Sequence, residues 1–310
     1  MKTSLVGYTG FVGSNLAGSF KFDNLYNSKN IGEAFESNPD LLVYAGIRAE
    51  KFLANKFPEK DMEIIENAKS NIKKINPKKI VLISTVDVYK NPVNVDEDTI
   101  INIHGLEPYG LNRFYLEKWV RENFQDYLIV RLPGLYGKNI KKNFIFDLIK
   151  IIPSILKEEK FKELCEKDDY IKNFYINQKN GFYKCKELDN EETENLKLYF
   201  NRIGFSAINF TDSRGVFQFY NLKYLWEHIN KALENDIKIL NVAVEPIGIN
   251  QIYKAIKAGD FINEIADVSP KYDFKTKYYD IFHGKNGYIF DNKFIIEDIK
   301  KYISEYNERI

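Results

Sequence analysis

A tyrosine and an arginine four residues apart are the pair in this 310-residue chain best suited to acid–base chemistry. Tyr109 and Arg113 share one face if residues 109–124 form a helix, as their apolar residues at three- and four-residue spacing indicate. Free tyrosine has a pKa of about 10, so making it a base near neutrality requires about 4 kcal/mol. One cation at about 4 Å contributes about 4 kcal/mol at an effective dielectric constant near 20. The spacing therefore predicts a phenol that one neighbouring charge almost suffices to ionise.

A glycine-rich turn near the start of the chain is suited to binding phosphate. Gly7, Gly10 and Gly13 directly follow the apolar run Ser4–Val6 and open a helical pattern. A tight turn and a close approach of pyrophosphate to backbone N–H groups both favour residues without a Cβ. The helix N-terminus adds free donors and a positive dipole. This turn is predicted to bind the pyrophosphate of a dinucleotide.

The elements that must position these residues alternate between strands and helices. Continuous apolar strands flanked by amphipathic helices, such as 59–75 and 109–124, predict a parallel sheet buried on both faces. Ligands then bind at the carboxyl ends of the strands. The predicted strands are Ser4–Val6, Leu25–Tyr26, Leu41–Tyr44, Ile80–Ile83, Tyr127–Val130 and Ile237–Val242.

Three motifs resemble those of the extended short-chain dehydrogenase/reductase family, of the NAD-dependent nucleotide-sugar epimerase/dehydratase type. They are G-x-x-G-x-x-G at 7–13, S-T-V-D-V-Y at 84–89 and P-Y-G-L-N-R at 108–113. The resemblance implies an α/β fold with a doubly wound parallel (Rossmann) sheet and a smaller, interleaved C-terminal substrate domain. It also implies that Tyr109 is the catalytic acid/base, that Thr85 hydrogen-bonds the reacting sugar oxygen, and that Arg113 replaces the family's usual lysine. Taken alone, Ser84 and Thr85 could instead only satisfy backbone groups at a strand end.

The cofactor implied by the resemblance is NAD or NADP. No acid follows the second predicted strand, where one would bind the adenosine ribose of NAD, and Lys29 lies nearby, which leans slightly toward NADP. The residues expected to bind the cofactor are Gly7, Thr9, Gly10, Phe11, Val12, Gly13, Asn27, Ala45, Gly46, Ser84, Tyr109, Arg113 and Pro133.

The substrate implied is a nucleotide-linked sugar. Arg131 and Gly134 lie in a segment similar to the family's R-x-x-x-V-Y-G, in which many relatives carry asparagine where this chain has Gly134. Arg214 is a candidate replacement for a phosphate contact of the family. Asp87 stands two residues before Tyr89, where dehydratases of the family carry glutamate, so it is a candidate proton acceptor and substrate contact. A plain surface role for Asp87 is the alternative.

The domain division predicted is a dinucleotide-binding part, 1–137 and 216–243, and a substrate-binding part, 138–215 and 244–310. The stretch 138–215 departs from the strand–helix alternation and is rich in Lys, Glu, Asn, Tyr and Phe, with helices expected at 144–157 and 191–201. It matches no segment of the resemblance and reads as an insertion with a separate task.

The composition of the chain limits the classes of partner that are expected. Lys plus Arg total 45 against 44 Asp plus Glu, so no whole-chain charge favours nucleic acid or an anionic membrane. Two cysteines and three scattered histidines predict no disulfide framework and no metal site. No apolar run is long enough to span a bilayer, so a cytoplasmic location is expected, and the resemblance implies a homodimer.

The reaction stays open among epimerisation, dehydration and ketone reduction, which share the same parts. One alternative is a non-catalytic NAD(P)-binding sensor or assembly protein of the same fold. Arg113 and Gly134, which both depart from the family pattern, favour that alternative. A reductase of a carbonyl compound without a nucleotide is a further possibility.

Overall fold

The computed structural model describes residues 1–257 and 259–308. Its centre is a six-stranded sheet in which every neighbouring pair is parallel. The strands are β1 (Thr3–Val6), β2 (Asn24–Tyr26), β3 (Leu41–Tyr44), β4 (Lys79–Thr85), β5 (Tyr127–Leu132) and β12 (Ile239–Asn241). Their order across the sheet is β12-β5-β4-β3-β1-β2. The predicted α/β doubly wound fold is confirmed.

Helices cover both faces because successive strand residues point to opposite sides. Leu5 and Val43 pack on one side with α1 (Phe11–Ser19) and α8 (Leu225–Glu234). Leu42 and Tyr44 pack on the other side with α3 (Pro58–Ile75) and α4 (Pro108–Asn123). Both α3 and α4 carry proline in their first turn, where the missing N–H costs no hydrogen bond. The short helix α2 (Lys51–Lys56) lies between β3 and α3.

Part of the insertion has a hydrophobic core of its own. Its first helix, α5 (Phe144–Lys150), packs into the main core instead. A second core follows, and its buried members are Ile152, Leu156, Phe161, Leu164, Ile171, Phe174, Tyr175, Leu196, Tyr199 and Phe200. The elements around this core are β7 (Ile155–Lys157), α6 (Glu158–Lys167), β8 (Tyr175–Asn177), β9 (Phe182–Cys185) and α7 (Asn190–Arg202).

The helix predicted over 144–157 is wrong beyond Lys150. Ile151 adopts a positive φ of 61° and Pro153 follows, so the chain leaves the helix and enters β7. The antiparallel sheet β7-β9-β8 was not predicted, because its three strands are only three or four residues long. The helix predicted over 191–201 is present as α7.

The remaining segments interleave the C-terminal part with the main sheet. β6 (Gly134–Tyr136) pairs in parallel with β11 (Phe219–Asn221), and β10 (Val216–Phe217) pairs antiparallel with β13 (Ile247–Gly248). The last helices are α9 (Ile249–Lys257) and α10 (Asn292–Asn307). Within the described ranges, no helix combines the length and the apolar character needed to cross a bilayer.

Candidate active site

The glycine turn is shaped for close backbone approach. Gly7 has φ +92°, and a Cβ on it would lie 2.5 Å from the carbonyl oxygen of Ala45. A Cβ on Gly13 would overlap the carbonyl oxygen of Gly7. The Gly7 N–H donates to the carbonyl of Tyr26 at 2.7 Å, which fixes the turn across the ends of β1 and β2. Only glycine fits at Gly7 and Gly13 without a shift of the backbone.

The turn leaves donors free for an anion. Helix α1 begins at Phe11 after the cap residue Gly10, and its first turn contains no acidic side chain. The leading N–H groups of a helix have no acceptor within the helix, so those of Phe11, Val12 and Gly13 face the turn. Thr9 and Gly10 are exposed beside them. The free donors and the helix N-terminus are suited to a dinucleotide pyrophosphate, and the binding role of these residues stays a prediction.

The other residues expected at the cofactor follow the ends of neighbouring strands. Ala45 and Gly46 follow β3, and the Ala45 N–H donates to the Val6 carbonyl at 2.9 Å. Asn27 follows β2, and its side-chain oxygen accepts from the backbone N–H of Lys29 at 2.8 Å. Pro133 separates β5 from β6. These positions share the carboxyl edge of the sheet, where doubly wound folds bind dinucleotides.

Thr85 and Tyr109 meet at the same edge. Thr85 is the last residue of β4, and Tyr109 is the second residue of α4. The two elements come together through Gly110, because a Cβ there would overlap the carbonyl oxygen of Asp87 in the 3-10 turn after β4. The Thr85 hydroxyl oxygen accepts from the Asp87 N–H at 3.1 Å, which leaves its own hydrogen available. Both side chains are more than nine-tenths buried.

The pKa of Tyr109 moves in the direction opposite to the one predicted. Burial raises it above the ordinary value, and the charge of Asp87 raises it further. Arg113, the Thr85 hydroxyl and Lys51 lower the same pKa but do not outweigh burial. The expectation that one cation almost suffices to ionise the phenol is therefore wrong for the protein without ligand. Tyr109 is a protonated phenol at neutral pH.

Arg113 lies against Tyr109 as the helical spacing predicted. Its guanidinium carbon is 4.0 Å from the centre of the Tyr109 ring. The same guanidinium forms a buried ion pair with Asp61 of α3 and donates to the Arg48 carbonyl at 2.6 Å. Asn112 also donates to Asp61, at 2.9 Å. The carboxylate offsets much of the positive charge that the sequence analysis assigned to Tyr109 alone.

Asp61 was missed because nothing in the sequence separates it from other acids of a predicted amphipathic helix. Its carboxylate is only 6% exposed, and acidic side chains buried to this degree are usually paired. A pattern of i, i+4 charges gives no signal here, since Asp61 and Arg113 stand on different helices, 52 residues apart.

Asp87 lies beside the two hydroxyls and is held by residues from two other segments. The Lys51 ammonium donates to its Oδ1 at 2.8 Å, and the Tyr272 hydroxyl donates to the same oxygen at 3.0 Å. The Asp87 side chain is about one-fifth exposed. Neither Lys51 nor Tyr272 belongs to a motif that the sequence analysis singled out.

Ser84 and Arg131 point into the protein. The Ser84 hydroxyl donates to Glu117 at 2.5 Å. The Arg131 guanidinium, 2% exposed, donates to both carboxylate oxygens of Glu117 and to the Tyr89 hydroxyl at 2.7 Å. The structure therefore does not support a direct contact of Arg131 with a substrate diphosphate, or of Ser84 with the cofactor. Both residues fix β4 and β5 beneath the site.

Gly134 and Arg214 are also engaged within the protein. The Gly134 N–H donates to the Gln218 carbonyl at 3.0 Å, and a Cβ at this position would lie 2.9 Å from the same oxygen. Arg214 donates to Asp212 at 2.7 Å and to Glu264 at 2.9 Å. Two carboxylates neutralise its charge, so the structure gives no support for Arg214 as a phosphate contact.

Comparison with known proteins agrees with the fold and with the motifs at 84–89 and 108–113. Residues 19–167 match the model of the NAD dependent epimerase/dehydratase family, which confirms the resemblance to extended short-chain dehydrogenases/reductases. No curated protein sequence matches the chain.

Several solved structures share the fold over nearly the whole chain at low sequence identity. A dTDP-4-dehydrorhamnose reductase from Clostridium acetobutylicum is 13% identical with a TM-score of 0.62, covering 99% of this chain and 100% of that one. RMD from Pseudomonas aeruginosa, solved with NADPH, is 13% identical with a TM-score of 0.64 and full coverage of both chains. UDP-glucose 4-epimerase from Thermotoga maritima, solved with UDP-glucose, is 12% identical with a TM-score of 0.61, covering 100% and 99%.

Proposed function

We propose that this chain, of which residues 19–167 match the NAD dependent epimerase/dehydratase family, transfers a hydride between NAD or NADP and a carbon of a nucleotide-linked sugar. The observation that carries the proposal is the meeting of the Thr85 and Tyr109 hydroxyls at the same carboxyl edge of the sheet as the Gly7–Gly13 cradle. The family supports the nicotinamide cofactor. The nucleotide-sugar substrates named for the solved structures support the substrate class.

Ketone reduction is the direction that the site favours. When bound, the nicotinamide supplies the hydride. Tyr109 gives the proton of its phenol to the carbonyl oxygen, and the Thr85 hydroxyl donates a hydrogen bond that holds that oxygen in place. Because burial raises the pKa of Tyr109, the phenol carries the proton that reduction consumes. Oxidation of a sugar hydroxyl, the first half of an epimerisation, needs the phenolate and is the second candidate.

Dehydration is the least favoured of the three reactions. It requires a base beside the ketone and an accompanying acid, and the position that usually carries the acid is Val86 here. Asp87, the candidate base, already accepts hydrogen bonds from an ammonium and a phenol on one oxygen. These contacts are more typical of a carboxylate that binds and orients a substrate than of a carboxylate that removes a proton from carbon.

A non-catalytic NAD(P)-binding protein is the alternative function, and the Arg113–Asp61 ion pair favours it. The carboxylate weakens the charge that Arg113 offers to Tyr109. This alternative predicts cofactor binding without turnover of any nucleotide sugar.

Turnover assays separate the two functions. NADPH and NADH oxidation is followed with dTDP-4-dehydrorhamnose, and UDP-glucose is offered with NAD for the epimerase reaction. The proposal predicts turnover of one of these sugars, with competition by free dTDP or UDP. Cofactor binding without turnover supports the non-catalytic alternative. Turnover of a small carbonyl compound at a rate that dTDP and UDP do not lower contradicts the proposed substrate class.

NADP is the slightly favoured cofactor. No acid stands among residues 27–30, and Lys29 is exposed beside Asn27, where a 2′-phosphate needs a positive neighbour. Two of the solved relatives hold NADP or NADPH. A homodimer and a cytoplasmic location stay predictions from the family resemblance.

A further inference from the structure

Part of the insertion is joined to the main fold at two neighbouring points. Residues 152–206, which we call the small domain, surround the second hydrophobic core. Among the described residues, 1–257 and 259–308, no hydrogen bond or ion pair links the small domain to a segment outside 150–211. The small domain therefore depends on its two connections and on apolar contact for its placement.

The two connections have the backbone of a hinge. Ile151 has φ 61° and ψ −48°, and the Ile152 N–H donates to the Lys150 carbonyl at 2.5 Å, which is a γ-turn of the rare and strained kind. The returning chain passes Gly204, which has φ +65°. The Ala207 N–H donates to the Ile151 carbonyl at 2.7 Å, so the two connections lie side by side. A few adjacent residues of this kind can absorb the change in φ and ψ of a hinge rotation.

One face of the small sheet β7-β9-β8 is not covered by the second core. Leu156 and Tyr175 point into that core and are buried. On the opposite face, Ile155 and Ile176 flank Lys184 in register across the three strands. These two isoleucines are 51% and 57% exposed. An exposed row of large apolar side chains indicates a face that meets another surface.

This outer face turns toward α2. Phe182 lies two residues before Lys184 on β9 and therefore on the same face of the sheet. Its ring meets the ring of Phe52 edge-on, with centroids 6.1 Å apart. Phe52 and the neighbouring Leu53 are 62% and 46% exposed. The two apolar surfaces thus touch at one aromatic pair and leave most of their area in water.

Helix α2 borders the reacting tyrosine. The side-chain oxygen of Asn55 accepts from the Tyr109 N–H at 2.9 Å, and Lys51 Nζ donates to Asp87 at 2.8 Å. Phe52 stands three residues before Asn55 and shares its face of the helix. A rotation of the small domain onto α2 therefore covers the side of the site that α2 forms.

We propose that the small domain is a lid, which rotates about Ile151 and Gly204 and closes the outer face of its sheet on α2 when cofactor and sugar nucleotide are bound. Closure buries the apolar surfaces of the sheet and of α2. It also removes water from beside Tyr109, which strengthens the hydrogen bonds and charges that act there. The proposal rests on the proposed function, since the bound cofactor and sugar nucleotide are what the lid encloses.

Spin labels on the two sides of the cleft test the movement without turnover. The label sites are Lys179→Cys, in the turn between β8 and β9, and Glu59→Cys, at the exposed start of α3. Cys165→Ala and Cys185→Ala remove the two native thiols. Double electron–electron resonance measures the label separation without ligand and with NADPH plus UDP or dTDP, whichever calorimetry shows to bind. The lid predicts that the separation becomes shorter and its distribution narrower when both ligands are bound.

A second label pair is the control for the dinucleotide-binding part. Glu63→Cys and Lys118→Cys place both labels on α3 and α4, which pack together on one face of the main sheet. Their separation should be the same with and without ligands.

Release of NADPH from its complex with the nucleotide tests the closing contact. Phe52→Ala and Phe182→Ala should each speed release about three- to ten-fold, because an aromatic pair contributes an amount of this order to the closed state. The double variant should release NADPH no faster than either single variant, since both changes remove one contact. Leu198→Ala is the matched control: Leu198 is 67% exposed and lies on α7, which packs on the inner side of the sheet. It should keep the wild-type rate.

Two results overturn the lid while the proposed function stands. One is a label separation that stays the same although calorimetry shows both ligands bound. The other is a wild-type release rate in folded Phe52→Ala and Phe182→Ala, with folding checked by thermal unfolding. A wild-type protein that binds neither NADPH nor the two nucleotides gives a different result, which contradicts the proposed function and the lid over its site together.

Discussion

Burial and the positive charge of Arg113 shift the pKa of Tyr109 in opposite directions. One cation about 4 Å away is worth about 4 kcal/mol to the phenolate at an effective dielectric constant of 20. The Arg113 guanidinium lies over the Tyr109 ring, 4.0 Å from its centre, yet the pKa of Tyr109 is raised, because burial is the largest effect and the charge of Asp87 adds to it. Asp61, which pairs with Arg113, also offsets part of the cation's field. The site holds a proton more firmly than the sequence alone suggested.

The raised pKa of Tyr109 predicts how reduction depends on pH. A proton donor works below its pKa, so kcat for ketone reduction should stay level between about pH 6 and pH 9 and decline only near or above pH 10. Sugar oxidation, which needs the phenolate, should instead speed up as pH rises over this range. Steady-state rates with saturating NADPH check this. A decline of the reduction rate with a midpoint near neutrality is incompatible with a raised pKa.

Thr85→Val serves as the companion variant for that profile. The Thr85 hydroxyl lowers the pKa of Tyr109, so its removal should move the alkaline limb to higher pH. It should also lower kcat, because the carbonyl oxygen loses one hydrogen bond. An unchanged alkaline limb would show that the titrating group is not Tyr109.

At the scale of elements, the cofactor turn depends on Gly13. The variant Gly13→Ala puts a Cβ onto the Gly7 carbonyl, so we expect a loss of about 1–3 kcal/mol in the free energy of unfolding. NADPH affinity should drop with it. Urea unfolding and an NADPH titration measure the two effects.

Gly18→Ala in the same helix is the control. A Cβ on Gly18 meets no atom within 4 Å, and alanine is the better helix former by about 0.5–1 kcal/mol. This variant should be stabilised slightly and should bind NADPH normally. Equal behaviour of the two variants would contradict the close-approach role of Gly13.

Strands and helices with long, continuous apolar patterns could be predicted from the sequence, and the short strands of the insertion could not. The runs at 41–44 and 127–130 are long and apolar enough to indicate buried strands, and Pro108 indicates the first turn of α4. The strands of the insertion are three or four residues long and only partly buried. Their identity comes from packing around the second core, which local propensity does not reveal.

At the scale of the whole molecule, Asp298 connects the last helix to the main fold. The Asp298 carboxylate of α10 accepts from Tyr136 and Asn221 at 2.7 Å each, from Tyr224 at 2.9 Å, and from Lys223. Tyr136 and Asn221 are buried, so they have no water to replace this acceptor. One carboxylate therefore holds α10 against β6 and β11.

Asp298→Asn should lower the free energy of unfolding by about 2–6 kcal/mol, since two buried donors lose a charged acceptor at about 1–3 kcal/mol each. Urea unfolding measures the change, and hydrogen exchange should show α10 opening first. Glu297→Gln is the control, because the neighbouring carboxylate forms its ion pair, among the residues described, with the exposed Lys300. A loss of similar size in both variants would mean that charge on α10, and not the buried contacts, sets its docking.

The candidate site could be predicted in outline but not in its long-range partners. The motifs located Gly7, Thr85 and Tyr109 because each lies at a strand end or a first helical turn, which local pattern determines. Asp61 and Tyr272 reach the site only through packing of remote segments, so no local spacing indicates them. The same packing directs Arg131 inward to Glu117, although its motif suggested a substrate contact.

Hydride transfer by the Tyr109→Phe variant tests the acid role of the phenol most directly. The variant removes one hydroxyl and keeps the ring against Arg113, so the fold and the cofactor cradle should be unaffected. We predict that kcat for reduction of the sugar that the wild-type protein turns over falls by about 10²–10⁴, while the Kd for NADPH stays within about three-fold. Turnover within about ten-fold of wild type would contradict the assignment of Tyr109 as the proton donor.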